Sequence, residues 1–182
     1  MRGYFGIGVE GISKPMNMGG LLRTAHAFGA SFVFTVGAAY AKAKGRRADT
    51  SDGPSQVPLF AFDDARALAL PQGCSLVGVE LLDEATALPS FRHPRRAAYI
   101  LGPERGSLSP EMVALCDHMV KIPTRFCINL AVASAVVLYD RLLSGGRFAD
   151  RPVVAGGPVE TLPEPLFGEP LWRKKHRRRV RS

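Results

Sequence analysis

Residues 118–142 read HMVKIPTRFCINLAVASAVVLYDRL. The opening HMVKIP (118–123) has the length and apolar content of a strand. From Leu130 onward, small and aliphatic residues run until Tyr139, Asp140 and Arg141 return the chain to water, which reads as a buried helix. A strand that passes through a short loop into a helix is the repeating unit of a parallel α/β sheet. Asn129 stands at the mouth of that helix. Asn is a good N-cap, but an amide beside an apolar core is costly unless it is hydrogen-bonded. What else Asn129 holds is the question this stretch poses.

Further units of the same kind lie upstream. FVFTVG (32–37) is a continuous apolar run, which predicts a strand covered on both faces. YFGIGVEGI (4–12), SLVGVEL (75–81) and AAYILG (97–102) read as three more strands. NMGGLLRTAHAFGAS (17–31) reads as a helix, because Leu21, Leu22, Ala25 and Phe28 recur at helical spacing; Asn17 suits its N-cap and Gly29 its C-terminal end. FDDARAL (62–68) can start a short helix with Asp63 or Asp64 near its N-terminus. SPEMVALCD (109–117) reads as a helix capped by Ser109 with Pro110 at its first position. Residues 40–58, rich in Lys, Arg, Gly, Ser and Pro, read as a mobile loop. The expectation is an α/β domain with a mainly parallel sheet over residues 1–150. Residues 151–182 are expected to form a flexible, proline-rich segment and tail.

Composition narrows the class. The 182 residues suit one domain and a tail. No run reaches the roughly 18 apolar residues that a membrane span needs, and the N-terminus lacks the apolar core of a secretory leader. The 3 cysteines are far apart and odd in number, which fits neither a disulfide framework nor a metal site and points to a reducing cytoplasm. The net charge of +8 is concentrated: RKKHRRRVRS (173–182) carries seven Lys or Arg and no acid. Without it, 17 basic residues face 16 acidic ones. A nearly neutral body with a basic tail is suited to contact RNA or DNA.

Ligands of open α/β sheets bind beyond the carboxyl ends of the strands, and there the chain is rich in Gly and polar residues. GIGVEG (6–11) matches G-x-G-x-x-G, yet the motif must open a helix directly and here it does not; these glycines are expected to allow close packing instead. In NMGGLLRTAHAFG (17–29), a helix start with Gly19, Gly20 and Arg23 could take a phosphate or be a plain surface helix. In LGPERGSLSPE (101–111), Gly102 and Gly106 bracket Pro103, Glu104 and Arg105, and such a turn offers backbone groups to a ligand. Cys127 as a nucleophile would need a base that the sequence does not place, so a small buried cysteine is the simpler expectation.

The three segments NMGGLLRTAHAFGA, ILGPERGSLSPE and IPTRFCINLAVASAVVLYD, in this order, resemble the motifs of the TrmH family within the SPOUT class of RNA ribose 2′-O-methyltransferases. The resemblance covers roughly residues 5–145. It implies an α/β knot, in which the C-terminal part of the domain threads a deep trefoil, and a homodimer whose active site mixes residues of both subunits. It implies S-adenosylmethionine as cofactor, held by backbone at Val79, Glu80, Leu81, Leu101, Gly102, Gly106, Ile122, Cys127 and Leu130. Asn17, Arg23, Glu104 and Asn129 match the family's catalytic positions. The family account makes the matching Arg a general base; an Arg seldom gives up its proton, so anchoring a phosphate and offsetting oxyanion charge is the simpler role for Arg23. Where the family usually has Ser, this chain has Cys127, a weaker hydrogen-bond partner. The function implied is methylation of a tRNA or rRNA ribose, with no metal. Methylation of a base or another acceptor, and a non-catalytic RNA-binding dimer, are the alternatives.

Overall fold

The computed structural model describes residues 3–38, 57–103, 106–146, 148 and 155–156. Glu104, Arg105, most of the 40–58 loop and the basic tail lie outside the described residues. Residues 1–142 form one compact unit, which contains the whole sheet, and 143–182 form a second.

The sheet has seven strands: β1 (Tyr4–Glu10), β2 (Phe32–Val36), β3 (Leu59–Phe62), β4 (Ser75–Val79), β5 (Thr86–Ala87), β6 (Arg96–Leu101) and β7 (His118–Lys121). Every pairing is parallel, and the order across the sheet is β3-β2-β1-β6-β4-β7-β5. Although β5 follows β4 in the chain, β7 lies between them. The helices are α1 (Pro15–Phe28), α2 (Pro110–Leu115) and α3 (Leu130–Gly145).

Successive strand residues face opposite ways, and both sets are buried. Ile7, Val9, Val33, Val77, Val79, Tyr99 and Leu101 join Leu21, Leu22, Leu130 and Val137 of α1 and α3 in one core. Phe32, Phe34, Leu76, Ala98, Ile100 and Met112 of α2 form the other. The continuous apolar strands are thereby explained, and the sheet proves wholly parallel. On the second face β1 contributes Tyr4, Gly6 and Gly8. The two glycines sit opposite Phe32 and Phe34 in register, and a Cβ at either would come within 2.6 Å of the facing ring. The glycines of GIGVEG therefore make room for aromatic rings, as expected from the sequence.

Several local readings need correction. Helix α1 begins at Pro15, whose fixed φ and missing N–H suit the first helical position. Lys14 is its N-cap, its side chain making no capping hydrogen bond, so Asn17 is inside the helix and not its cap. Gly29 does end it, left-handed at φ 72°. FDDARAL forms no helix: Asp64 Oδ1 accepts from Ala67 N (2.9 Å), closing a turn. Strand β3 was not anticipated. In α2, Ser109 caps as expected, accepting from Met112 N (3.1 Å).

A buried polar network ties the Asp140–Arg141 region of α3 to β6. His93 Nε2 meets Asp140 Oδ2 at 2.9 Å and Nδ1 meets Tyr99 Oη at 2.6 Å, while Arg141 donates to Tyr99 Oη (3.0 Å) and to the Pro94 carbonyl (2.7 Å). Neutral His93, with Nε2–H donating to Asp140 and Nδ1 accepting from Tyr99, satisfies every partner. The His93 side chain is only 3% exposed. Burial lowers its pKa below the ordinary 6.5, against the opposing pull of Asp140. The unfolded chain then binds the proton more readily. Stability from this site is complete above about pH 6.5 and declines as pH falls through the unfolded value towards the lower folded one. Denaturant titrations between pH 7.5 and 5 are expected to show that decline. In His93→Gln the slope should flatten, and an unaltered slope would remove His93 as its source.

Candidate active site

A cleft of about 390 Å³ opens beyond the carboxyl ends of β4, β6 and β7. Three stretches of chain wall it. After β4 come Val79, Glu80 and Leu81; after β6 come Leu101, Gly102, Pro103 and Gly106; after β7 come Ile122, Thr124, Cys127, Ile128, Asn129, Leu130 and Ala133. All nine backbone positions that the resemblance pointed to lie in this lining. From α1, Lys14 and Asn17 complete it.

Asn129 has two partners. Its Oδ1 accepts from Ala131 N at 2.9 Å, the N-cap contact of α3, and its Nδ2 donates to Asn17 Oδ1 at 3.3 Å. The second bond joins residues 112 apart in sequence at the lip of the cleft. Helix packing brings it about, since a Cβ at Gly20 would sit 2.8 Å from the Ala131 methyl. What approaches Gly20 is thus α3.

The remaining site residues fall differently. Arg23 is exposed on α1 and stands outside the described lining. Glu104 is outside the described residues. Cys127 is exposed in the cleft wall, which corrects the expectation of a small buried residue. Among the described lining residues there is no histidine to serve it as a base. Cys116, by contrast, is held in the second core, where burial chiefly pushes its thiol up to about 12. Lys14, Thr124 and Ile128 were missed; the one cue was that Lys14 directly precedes the Pro15 that opens α1.

The cleft fits a small molecule taken up through backbone. Its volume lies within the roughly 300–1,000 Å³ usual for such sites. A Cβ at Gly102 would lie 3.1 Å from both Glu80 Oε2 and Leu108 N, so a glycine here lets the chain pass close to the Glu80–Leu108 hydrogen bond. Both Glu80 oxygens accept backbone N–H groups, from Leu81 (3.0 Å) and Leu108 (3.0 Å). No cluster of three or more His, Cys, Asp or Glu arranged to hold a metal occurs among the described residues, and none of their helices is long and apolar enough to cross a membrane.

Known proteins are similar to this chain. The chain is 28% identical over 137 residues to the tRNA (guanosine(18)-2′-O)-methyltransferase of Escherichia coli K12, an alignment covering 72% of this chain and 60% of that protein. It is 31% identical over 142 residues to the 23S rRNA (guanosine-2′-O-)-methyltransferase RlmB of Nitrosomonas europaea, covering 72% and 53%. The chain thus spans less than two thirds of the length of these relatives. A solved structure described as giving insight into 2-OH methylation of C/U34 on tRNA superposes with a TM-score of 0.69 at 26% identity, covering 79% of this chain and 97% of that one. The profile of the SpoU rRNA methylase family matches residues 5–139, a span that takes in the cleft walls and both asparagines. By fold, by the residues at its cleft and by that match, the chain belongs to the SpoU rRNA methylase family.

Proposed function

We propose that the protein is an S-adenosylmethionine-dependent ribose 2′-O-methyltransferase acting on RNA, with tRNA favoured over rRNA. The observation that carries the reading is the Asn17–Asn129 bond at the lip of the cleft, which joins the first and third motifs at a site walled by the second. The relatives named above are 2′-O-methyltransferases of tRNA and rRNA. The similar structure concerned with tRNA is also matched over almost its whole length, and this supports tRNA.

The cofactor, when bound, supplies an electrophilic methyl group on a sulfonium centre. The turns at 79–81, 101–106 and 122–130 hold it by close backbone approach. Asn17 and Asn129 order the lip where the ribose hydroxyl enters, which is catalysis by positioning. Arg23 anchors an RNA phosphate and offsets charge on the hydroxyl oxygen. Because Arg23 stands outside the cleft of its own chain, it serves the cleft of a second copy. Val132 and Tyr139, about half exposed and seven residues apart on α3, give that homodimer an apolar face. The placing of β7 between β4 and β5 supports a trefoil knot formed as the later chain threads the earlier connection. The setting is cytoplasmic.

The test is transfer of labelled methyl from S-adenosylmethionine to tRNA and, separately, to rRNA. Label recovered in a 2′-O-methyl nucleoside is expected. Label in a base would replace the acceptor, and RNA binding without cofactor binding would leave a non-catalytic RNA-binding protein. The tail 173–182 extends the RNA contact. Deleting it is expected to weaken RNA binding and to flatten its dependence on salt; an unchanged salt slope would exclude the tail from the interface.

A further inference from the structure

Glu10 lies at the end of β1, outside all three motifs. Its carboxylate reaches across 99 residues of sequence to the start of α2: Oε2 accepts from Ser109 N at 2.8 Å, and Oε1 accepts from Ser109 Oγ at 2.6 Å. Ser109 Oγ also accepts from Met112 N as the helix cap, so the serine is fixed from both sides. One residue earlier, Leu108 N is held by Glu80. Nearby, the site of a Cβ on Gly11 lies 3.4 Å from the Pro103 ring. The described part of the middle wall, Gly102, Pro103 and Gly106, is therefore followed by a stretch tied at Leu108 and Ser109 by two carboxylates, one at the end of β1 and one just after β4. At Pro103 the wall rests on the turn that leads into α1.

We infer that Glu10 is a positioning residue for the cofactor: by clamping Ser109 it sets the path of the Gly106–Ser109 stretch, and so the place of Gly106 in the wall against which the cofactor lies. The inference rests on the methyltransferase reading for the identity of the ligand, but not for the clamp itself. Glu80 lines the cleft, whereas Glu10 acts only through Ser109. A carboxylate suits the task because it accepts two hydrogen bonds side by side and donates none. Glutamine keeps the acceptor for Ser109 N but must donate to Ser109 Oγ, so with almost no change of volume it reverses one bond and removes the charge that strengthens both. Glu10 also precedes α1, so the β1 end that directs Asn17 to the lip holds the cofactor wall as well.

Two measurements on the whole chain test this. Hydrogen exchange of the Leu108 and Ser109 amides without ligand should quicken about tenfold in Glu10→Gln. Titration calorimetry with S-adenosylmethionine should show an affinity about tenfold weaker, with KM for the cofactor rising more than kcat falls. Ser109→Ala removes the hydroxyl's bond to Glu10 together with the cap to Met112 N and keeps the Ser109 N–H bond, so the double variant should lose less than the sum of the two single ones. Ser109→Thr, which keeps the hydroxyl, should stay near wild type. Faster exchange with unchanged cofactor affinity would reduce Glu10 to a structural tie and overturn the inference while leaving the methyltransferase reading intact. If the wild-type chain binds no S-adenosylmethionine, that reading fails and the positioning role fails with it. The exchange rates would then show only whether the clamp exists.

Discussion

Asn129→Asp is expected to keep the fold and lose methyl transfer. Asp caps helices about as well as Asn, and a negative charge at a helix N-terminus is favourable. The acceptor towards Ala131 N therefore survives the change. What disappears is the amide N–H given to Asn17 Oδ1. Two oxygens then face each other at the lip of the cleft unless the Asn17 amide turns, and either adjustment displaces the groups that order the entering ribose. A misplacement on the order of 1 Å can cost about 100-fold in rate, and a loss of that size in kcat/KM is expected, with thermal stability near wild type. Asn129→Ala loses both contacts. It should show the same loss of activity together with about 1 kcal/mol of stability, or roughly 2–4 °C in Tm for a chain of this size. Full activity in Asn129→Asp would confine Asn129 to capping.

The largest loss of stability is expected from Gly8→Ala. A Cβ at Gly8 would lie 2.6 Å from two ring carbons of Phe34 and 2.6 Å from the Phe34 carbonyl oxygen. The ring could shift, but the carbonyl belongs to the neighbouring strand and is fixed by the ladder. Overpacking of this kind costs about 3 kcal/mol, or roughly 6–12 °C in Tm. Adding Phe34→Leu should recover only part, because it frees the ring space and leaves the carbonyl in place. A Gly8→Ala chain that melts with the wild type would show that β1 and β2 are not packed this closely.

How far the sequence reveals this molecule depends on the range of the interactions involved. The two-sided strands were legible because Phe32–Val36, but for Thr35, and Ala97–Leu101 are apolar. The cleft wall was legible because glycines and polar residues gather just after β6 and β7. Local competition hid other features. Asn17 reads as a cap until Pro15 is recognised as the first helical residue, and Asp64 reads as a helix start although it closes a turn. LFAF (59–62) is only four residues long and carries an exposed Phe60, too little pattern to mark an edge strand. Glu10 gave no sign at all, since its partner lies 99 residues away. Asn129 was suspected for its cost beside an apolar helix, but nothing short of the fold could name Asn17 as the group it holds.

Those long separations also govern how the molecule comes into being. The bonds Leu76–Asp117, Ser109–Glu10 and Asn129–Asn17 close loops of 41, 99 and 112 residues. Each contact must await the closing of its loop, and parallel pairing of this kind is slow to form. During synthesis, β1 and α1 emerge first and remain without β6 and α3 until most of the domain has been made. A nascent chain halted before Asn129 lacks Asn129, Leu130 and Ala133 of the cleft lining, so the Asn17–Asn129 lip arises only with α3.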